Sequence, residues 1–360
     1  MKVLSISSDR RLFEEDSAVS ERIKEYAEMV EEYHVVVFAL KSLELKPKQL
    51  GQNIWIYPTN SWSRWFYVFD AARIGKKIVF DRKFVRGESV ITTQDPFESG
   101  WTGLKIKKRW RLPLEVQIHT DPNSPYFSGF LNYIRKIIAR TVLAKADSVR
   151  DVKTLPIYVD KEKIENAPIK FDLHALYPWH FILLAVSRLS KEKNLDLAIQ
   201  ILSLVREKYP DTGLVIVGSG PEESRLKNLV KKMGLETAVY FAGWQNELAS
   251  FYKTANAFIQ TSLFEGYGLS LVEAGLSGLP VVTTPVGIAQ ELENGKDAYI
   301  YPASRPDLFA LGIIELIESN QKRENLRFNL KKTLESKLLS KEQYLSKLKE
   351  NWENTAKKIK

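Results

Sequence analysis

The sequence contains no cysteine, and this absence excludes several kinds of chemistry. Disulfide bonds, cysteine-ligated zinc, iron–sulfur clusters and thiol catalysis all need a side chain that the chain lacks. Histidine is also scarce, with four residues among 360. A metal centre built from histidine is therefore not expected, and we predict no bound metal.

Long apolar runs are missing as well. The longest, such as residues 181–186, fall far short of the roughly 20 residues that a membrane-spanning helix needs. The first residues, MKVLSISSDRR, hold a short apolar stretch followed by charges. These features predict a chain without a signal peptide, located in the cytoplasm.

The length indicates two domains, because single cores stop growing at about 250–300 residues. With 44% hydrophobic and 27% charged residues, the composition is that of an ordinary folded protein. Two prolines and several polar residues interrupt the pattern in NAPIKFDLHALYP, near residues 165–178. We predict an N-terminal domain at 1–168, a second domain at 169–340, and a C-terminal helix at 341–360 that packs back on the first domain.

Apolar runs alternate with amphipathic stretches in both halves, which predicts parallel sheets with helices on both faces. Strands are expected at 2–6, 35–40, 53–57, 89–93, 114–119, 180–187, 213–217, 239–242, 257–260, 280–283 and 298–301. Helices are expected at 17–32, 62–75, 98–109, 128–144, 194–208, 269–277 and 306–319, with another ending at 233. Asn194 is expected to cap its helix. The strand-like segments 147–151 and 154–159 lie too close for two parallel strands, so either only one is a sheet strand or the chain is shortened there.

The most specific motif is FEGYGLSLVEA at 264–274, which follows a predicted strand and opens a predicted helix. The N–H groups and the positive dipole end of such a helix suit a phosphate or another polar ligand. Gly266 and Gly268 allow the ligand to approach the backbone closely. Ser270 is positioned to cap the helix.

Glu265 and Glu273 place two carboxylates along one side of this site, where they can accept hydrogen bonds from hydroxyl groups. A plainer interpretation has Glu265 in solvent and Glu273 in a core network. The glycines and the strand–loop–helix context favour the binding site.

Three further motifs lie at predicted strand ends. Arg188 and Lys193 flank a turn in SRLSKEKN, and two cations at the carboxyl edge of a sheet suit a diphosphate. Gly218 in GSGPE either makes only a tight turn or contributes to a phosphate cradle. His119 in QIHTD stands at the end of an apolar strand, where it lines a cleft more readily than a core.

Together these motifs resemble those of glycosyltransferase family 4, whose members are retaining enzymes. EGYGLSLVEA matches the Glu-x7-Glu motif of that family, and SRLSKEKNLDLAI matches its Arg–Lys motif. ITTQDPFESG and VQIHTD resemble a recurrent pattern of the same family, so the resemblance covers nearly the whole chain. It implies an α/β architecture of the GT-B type, in which two Rossmann-like domains with parallel sheets face a central cleft.

The resemblance also implies the activity: a hexosyltransferase that moves a sugar from a nucleotide-diphosphate sugar to a hydroxyl group of a glycan, a lipid-linked sugar or a lipid. Arg188 and Lys193 would neutralise the donor diphosphate, Glu273 would bind the ribose and Glu265 the donor sugar. His119 would line the reacting face. The remaining binding residues implied are Gly266, Tyr267, Gly268, Leu269, Ser270, Gly218 and Asp121.

No metal or other cofactor is expected for this reaction. The sequence lacks the Asp-x-Asp motif of metal-dependent GT-A enzymes, and fixed cations and helix N-termini can stabilise the departing diphosphate. Because no nucleophile stands out, we favour front-face transfer within an ion pair over a covalent glycosyl-enzyme.

Two features depart from the family pattern. Asp16 stands near a position where many members carry glycine, and a carboxylate beside a diphosphate is repulsive unless it points away. After Asp147 the chain is shortened where we expect an additional helix.

The net charge of +9 is concentrated in one stretch. Residues 64–111 carry 12 Lys and Arg against 5 Asp and Glu, and aromatic residues stand at 62–67, 101 and 110. This combination suits docking on an anionic membrane surface through residues 62–111, at the inner face of the membrane. The sequence leaves that open against a solvated helix face with its aromatic residues in the core. It shows no nucleic-acid-binding motif.

Two other functions stay open at this stage. A sugar phosphorylase or a nucleotide-sugar epimerase fits the same fold. A non-catalytic module that binds sugar nucleotides is compatible with Asp16 and the shortened segment.

Overall fold

The computed structural model describes residues 1–14, 17–119, 129–151 and 155–358. The chain divides into two units, the first formed by Met1–Ile157 with Leu339–Lys360 and the second by Tyr158–Leu338. The helices of the described residues are α1 Ala18–Glu28, α2 Tyr67–Asp81, α3 Glu98–Trp110, α4 Phe130–Lys145, α5 Lys161–Asn166, α6 Leu173–Leu176, α7 Leu195–Arg206, α8 Glu223–Lys232, α9 Ala249–Thr254, α10 Leu269–Leu276, α11 Pro306–Glu318, α12 Asn320–Lys337 and α13 Lys341–Ala356.

The boundary between the units comes earlier than the expected residue 168. The segment before that residue belongs to the second unit because α9 holds it there. Lys253 Nζ donates hydrogen bonds to the carbonyl oxygens of Glu165 at 2.7 Å and Ala167 at 2.6 Å. The stretch with the two prolines therefore lies within the second unit.

The first unit is a mostly parallel sheet with helices on both faces. Its strands are β1 Lys2–Ser7, β2 Glu32–Val37, β3 Lys48–Gly51, β4 Ile54–Pro58, β5 Ser89–Thr93, β6 Leu114–Ile118 and β7 Ser148–Asp151. They lie in the order β3-β4-β2-β1-β5-β6-β7, and β3 alone among them pairs antiparallel. The central strands are almost fully buried, as expected of a parallel sheet covered on both sides.

The second unit has a parallel sheet throughout its described strands. These are β8 Phe181–Val186, β9 Thr212–Val217, β10 Val239–Gly243, β11 Ala257–Gln260, β12 Val281–Thr283 and β13 Tyr299–Ile300, in the order β10-β9-β8-β11-β12-β13. A core of branched aliphatic residues holds α7 and α11 against this sheet. Because β8 and β11 are neighbours, the loops that follow them meet at one edge.

Most of the predicted elements are present, whereas strand β3 and the short helices α5, α6 and α9 are not among the predictions. Three predictions differ from the structure. Of the two close strand-like segments, 148–151 is β7 and the described part of the second, 155–159, is not a strand. The helix expected from 62 begins at Tyr67, after a short 3-10 turn. Asn194 precedes α7 in the left-handed region, at φ 49°, and its side chain makes no capping hydrogen bond.

Helix α13 belongs to the first unit, where it joins three strands through Glu115. This fully buried carboxylate on β6 accepts hydrogen bonds from Trp352 Nε1 at 3.0 Å, Thr92 Oγ1 at 2.6 Å and Arg150 Nε at 3.1 Å. The Trp352 ring is also fully buried and packs edge-on against Tyr26, at 6.0 Å between centroids. The residues that close this core thus come from both ends of the chain.

Candidate functional site

The motif residues of the second unit gather at the carboxyl edge of its sheet. Arg188 and Lys193 lie in the loop after β8, Gly218 follows β9, and Glu265 lies in the loop between β11 and α10. In open α/β sheets ligands bind outside the carboxyl ends of the strands. Three separate sequence motifs therefore converge on the edge where a ligand is expected.

A bidentate ion pair joins two of these loops. Lys193 Nζ lies 2.7 Å from both carboxylate oxygens of Glu265. Ser262 Oγ donates a third hydrogen bond to the same carboxylate, at 2.7 Å. The side chains of Lys193 and Glu265 are 20% and 10% exposed, so the pair is partly desolvated and still reachable from solvent.

Backbone contacts fix the two loops against each other. Thr261 Oγ1 donates to the carbonyl oxygens of Lys193 and Asn194, at 3.2 and 3.0 Å. The amide of Leu263 donates to the carbonyl of Glu192 at 2.8 Å. The ion pair is thus held by its supporting backbone, which reduces the entropy lost when a ligand binds.

The start of α10 is built by glycine. Gly268 occupies the N-cap position with φ 95°, in the region that favours glycine, and no side chain caps the helix. Ser270 lies inside the first turn, so its expected capping role is wrong. The first N–H groups of an uncapped helix stay available to a ligand.

A second glycine brings another loop against this one. At Gly287, with φ 57°, a Cβ atom would lie 2.4 Å from the carbonyl oxygen of Tyr267 and 2.9 Å from Cβ of Glu265. The amide of Ile288 donates to that same carbonyl at 2.7 Å. Gly287 therefore allows the loop after β12 to support the backbone that carries Glu265.

Glu273 lies within α10, five residues after the N-cap residue Gly268. Its Oε2 accepts a hydrogen bond from the Tyr252 hydroxyl at 2.9 Å. Burial raises the pKa of Glu273, and the hydrogen bond from Tyr252 offsets part of that rise. Both residues line a cavity of about 380 Å³, together with Leu269, Leu248 and Pro168.

Arg188 provides an exposed charge at this edge, whereas Gly218 allows two loops to pack closely. Arg188 is exposed, and no ion pair or hydrogen bond of its side chain is found among the described residues. At Gly218, with φ 131°, a Cβ atom would come within 1.9 Å of the carbonyl oxygen of Ser187. Gly218 therefore packs its loop tightly against the loop that carries Arg188.

Two buried polar atoms at this edge lack a partner in the part of the chain that the structure describes. They are Ser187 Oγ, directly after β8, and Gln260 Oε1, at the end of β11. Gly268 lies close by, since a Cβ atom there would be 3.9 Å from Gln260 Oε1. Buried polar groups are rarely left unpaired, so these two atoms are available to a ligand or a water at this edge.

His119 lies in the first unit, just after β6. Its Nε2 is 3.3 Å from Gln117 Oε1, and Gln117 Nε2 in turn donates to Thr92 at 3.1 Å. Desolvation and the positive charges of Arg150 and Arg22 lower the pKa of His119. The residue as a whole is exposed, so water screens part of this effect, and the imidazole is neutral at pH 7 in either case. Asp121 and Asp16 lie outside the described residues.

Sequence reasoning missed several residues that build the site. Ser262 and Tyr252 are single hydroxyl-bearing residues whose partners, Glu265 and Glu273, were found only through the structure. Gly287 follows a predicted strand and was a usable signal. Within the described ranges, no group of three or more metal-ligating side chains is found and no helix is long and apolar enough to cross a membrane.

Comparison with known proteins finds similarity to glycosyltransferases. Residues 170–333 match the family model described as "Glycosyl transferases group 1". An uncharacterized glycosyltransferase of Methanocaldococcus jannaschii is 29% identical over 289 residues, which cover 71% of this chain and 70% of that protein. The alpha-monoglucosyldiacylglycerol synthase of Streptococcus pneumoniae is 25% identical over 229 residues, covering 54% of this chain and 51% of that protein. The chain spans less than half the length of several other curated glycosyltransferases that it matches.

Solved structures settle the fold. The Anabaena protein HepE, solved in complex with UDP, is 18% identical with a TM-score of 0.73, and the match covers 97% of this chain and 99% of that one. The α/β architecture with two Rossmann-like units, the GT-B type expected from the sequence, is confirmed.

Proposed function

We propose that this chain is a glycosyltransferase that transfers a sugar from a nucleotide-diphosphate sugar to a hydroxyl acceptor. The observation that carries the proposal is the Lys193–Glu265 pair beside the glycine-capped start of α10. The match of residues 170–333 to the glycosyl transferase model includes every motif residue of the second unit. UDP is the first nucleotide to test, because HepE was solved with UDP.

The ion pair leaves both partners able to bind a donor. An ammonium group has three N–H donors, and Glu265 takes two of those of Lys193. The third is available to a diphosphate oxygen, and Arg188 supplies a second, exposed cation. Glu265 retains acceptor capacity for a sugar hydroxyl, and Glu273 has the same capacity for the ribose.

Breaking the glycosyl–phosphate bond transfers negative charge to the departing diphosphate. Lys193 and the first N–H groups of α10 are preorganised to stabilise that charge, which is the largest catalytic effect in many enzymes. Arg188 adds a second cation beside them. These groups support a reaction without a metal ion, so we expect turnover to persist in EDTA.

We further propose that the anomeric configuration is retained through front-face transfer. Both oxygens of Glu265 are engaged by Lys193, and one also by Ser262, which makes this carboxylate a poor nucleophile. His119 would line the reacting face. NMR of the product's anomeric proton tests the retention of configuration, and an inverted product would rule out the proposed transfer.

A lipid or a lipid-linked sugar is the acceptor that we favour. The pneumococcal relative is named as a synthase of a glucosylated diacylglycerol, a lipid. Transfer assays should therefore include diacylglycerol and lipid-linked sugars in addition to soluble glycans.

The donor site is tested by measuring the binding of UDP, GDP, ADP, CDP and dTDP. Calorimetry and the shift in melting temperature are the two readouts. A ligand that binds only the folded chain raises the melting temperature by mass action. We expect one nucleotide to bind at least tenfold more tightly than the others, and Glu273→Ala to weaken it. Failure of all five to bind would contradict the proposal.

A further inference from the structure

The first unit carries a surface of exposed aromatic and aliphatic side chains, which we call the aromatic face. It comprises Trp62, Trp65, Phe66, Phe69, Phe130, Leu131, Tyr133, Ile134 and Ile137. Trp62 is 85% exposed, Trp65 78% and Phe130 77%. Monomeric soluble proteins rarely expose so many large apolar side chains together, and such patches usually mark a binding surface.

This exposure bears on one of the two interpretations that the sequence left open, the one with the aromatic residues in the core. Had these residues been core aromatics beneath a solvated helix face, Trp62, Trp65 and Phe66 would be buried, and all three are more than half exposed. Tyr67, Trp101 and Trp110 are exceptions, because all three are half-buried and pack against the core of this unit. The Tyr67 ring also stacks on Phe38, at 5.3 Å between centroids. The aromatic residues of the turn before α2 therefore face solvent.

Contacts between neighbouring helices place the parts of the aromatic face on adjacent elements. Lys105 of α3 places its ammonium 5.0 Å from the ring centroid of Phe69 on α2. At the start of α3, Glu98 Oε1 accepts a hydrogen bond from Arg135 Nε of α4 at 2.7 Å. The exposed residues of α4 thus lie next to α3, and those of α2 lie on its other side.

Positive charge surrounds the aromatic face. Residues 62–81, 98–111 and 130–145 hold 13 Lys and Arg against 3 Asp and Glu. Two of the three acids are already paired, Asp70 with Arg73 and Glu98 with Arg135. Lys107 is also paired, with Asp147. The excess of cations that remains beside tryptophan and phenylalanine matches an anionic lipid surface, where rings enter the headgroup region and cations meet phosphates.

We propose that the aromatic face docks this chain on a bilayer that contains anionic phospholipids. The occupant is a lipid surface and not a protein, because the excess of positive charge is spread over three helices, as an extended anionic surface requires. The Trp and Phe rings supply apolar area, and each Lys or Arg near the surface adds attraction that falls with salt. The proposal is independent of the sugar-transfer activity.

The test is sedimentation of the full chain with vesicles of phosphatidylcholine, with and without phosphatidylglycerol. We expect binding to the anionic vesicles at low salt, at least tenfold weaker binding without phosphatidylglycerol, and loss of binding at high salt. The double variant Trp62→Ser/Trp65→Ser should bind at least tenfold more weakly, as should Phe130→Ser/Leu131→Ser. Donor binding in the second unit should be unchanged in both.

Matched controls separate docking from loss of fold or of bulk charge. Phe328→Ser removes a ring that is 68% exposed on α12 in the second unit and should bind like the wild type. Arg64→Glu/Arg140→Glu should release the chain, whereas Lys231→Glu/Lys232→Glu, on α8, changes the net charge equally and should not. Melting temperatures verify that each variant is folded.

Three results would overturn the proposal. The first is no sedimentation of the wild type with anionic vesicles at low salt. The second is equal loss of binding in the aromatic-face variants and their controls. The third is a dimer in solution that the Trp62→Ser/Trp65→Ser variant dissociates while vesicle binding is absent, which would assign the face to a second copy of the chain.

Discussion

Lys193 is restrained by the carboxylate beside it, and this determines what its removal should do. Lys193→Ala takes away a cation from the donor site and leaves the carboxylate of Glu265 with Ser262 as its described hydrogen-bond donor. Glu265→Gln keeps the shape but removes the charge that orients Lys193. We expect each to lower the transfer rate at least about 100-fold, the scale found when one preorganised donor is removed.

Lys208→Ala and Glu318→Gln provide the control for these two variants. Lys208 and Glu318 form an exposed ion pair in the same unit, distant in sequence from every motif. Surface pairs contribute little to stability, so both controls should keep wild-type transfer rates. Wild-type rates for Lys193→Ala and Glu265→Gln would remove the site assignment.

Glu273 gives a prediction that separates binding from stability. Its folded-state pKa is raised above the ordinary 4.5, so the folded chain holds this proton more tightly than the unfolded chain. The ionised carboxylate therefore opposes folding above the raised pKa, and this penalty disappears as the pH falls through the window down to 4.5. At pH 7, Glu273→Gln should melt at an equal or higher temperature while binding the nucleotide at least tenfold more weakly.

The pH dependence of the melting temperature tests whether burial of the Glu273 charge causes this difference. If burial of charge is responsible, the difference in melting temperature between the wild type and Glu273→Gln should shrink as the pH approaches 4.5. A variant that melts lower than the wild type at pH 7 would show that the carboxylate stabilises the fold.

At the residue scale, the sequence was most informative where spacing carried the signal. Lys193 and Glu265 stand in two motifs 72 positions apart, and the structure joins them within 2.7 Å. Ser262 and Tyr252 could not be predicted, because a lone hydroxyl has no pattern and its partner depends on how loops pack. Gly218 was assigned to a turn or a phosphate cradle, and its close approach to Ser187 emerged only from the fold.

At the scale of the elements, the loop after β9 requires a glycine at position 218. Gly218→Ala would combine a left-handed backbone with a Cβ atom 1.9 Å from a carbonyl oxygen. The loop must then move away from the loop that carries Arg188. We expect the free energy of unfolding of the second unit to fall by at least about 2 kcal/mol, with weaker nucleotide binding.

The variant Gly295→Ala measures how much backbone strain alone lowers the free energy of unfolding. Gly295 has φ 78° with no atom within 4 Å of a built Cβ, so its substitution adds strain without a clash. It should cost about 1 kcal/mol and leave nucleotide binding intact. Equal losses for both variants, measured by chemical denaturation, would show that the contact with Ser187 is unimportant.

Element types were predictable wherever burial is periodic or continuous. The strands at 89–93 and 257–260 were predicted with their observed bounds, since each is a short, fully buried run of mostly β-branched or apolar residues. Strand β3, Lys48–Gly51, was missed because it is short, polar and at the edge of its sheet. Residues 155–159 resemble a strand, but the sheet already ends at β7.

For the molecule as a whole, the division into two units predicts separable stability. Trp352→Ala removes a fully buried ring from the first unit and takes one donor from Glu115. Truncations of this kind typically cost about 3–5 kcal/mol. Calorimetry should show the unfolding of the first unit at a lower temperature, while the affinity for the nucleotide changes less than about twofold.

The opposite pattern would contradict the assignment of the donor site to the second unit. If Trp352→Ala abolished nucleotide binding at a temperature where the second unit is still folded, residues of the first unit would have to be part of the binding site. Phe328→Ser, an exposed substitution in the second unit, serves as the comparison, since it should change neither transition.

Helix α13 also sets the order in which the chain can fold during synthesis. Domains generally fold as they emerge, the N-terminal one first. Here the first unit must wait for Trp352, which the ribosome adds only after the whole of Tyr158–Leu338. The second unit is therefore free to fold first, and nascent chains that end before residue 341 should already bind the nucleotide while the first unit remains open to protease.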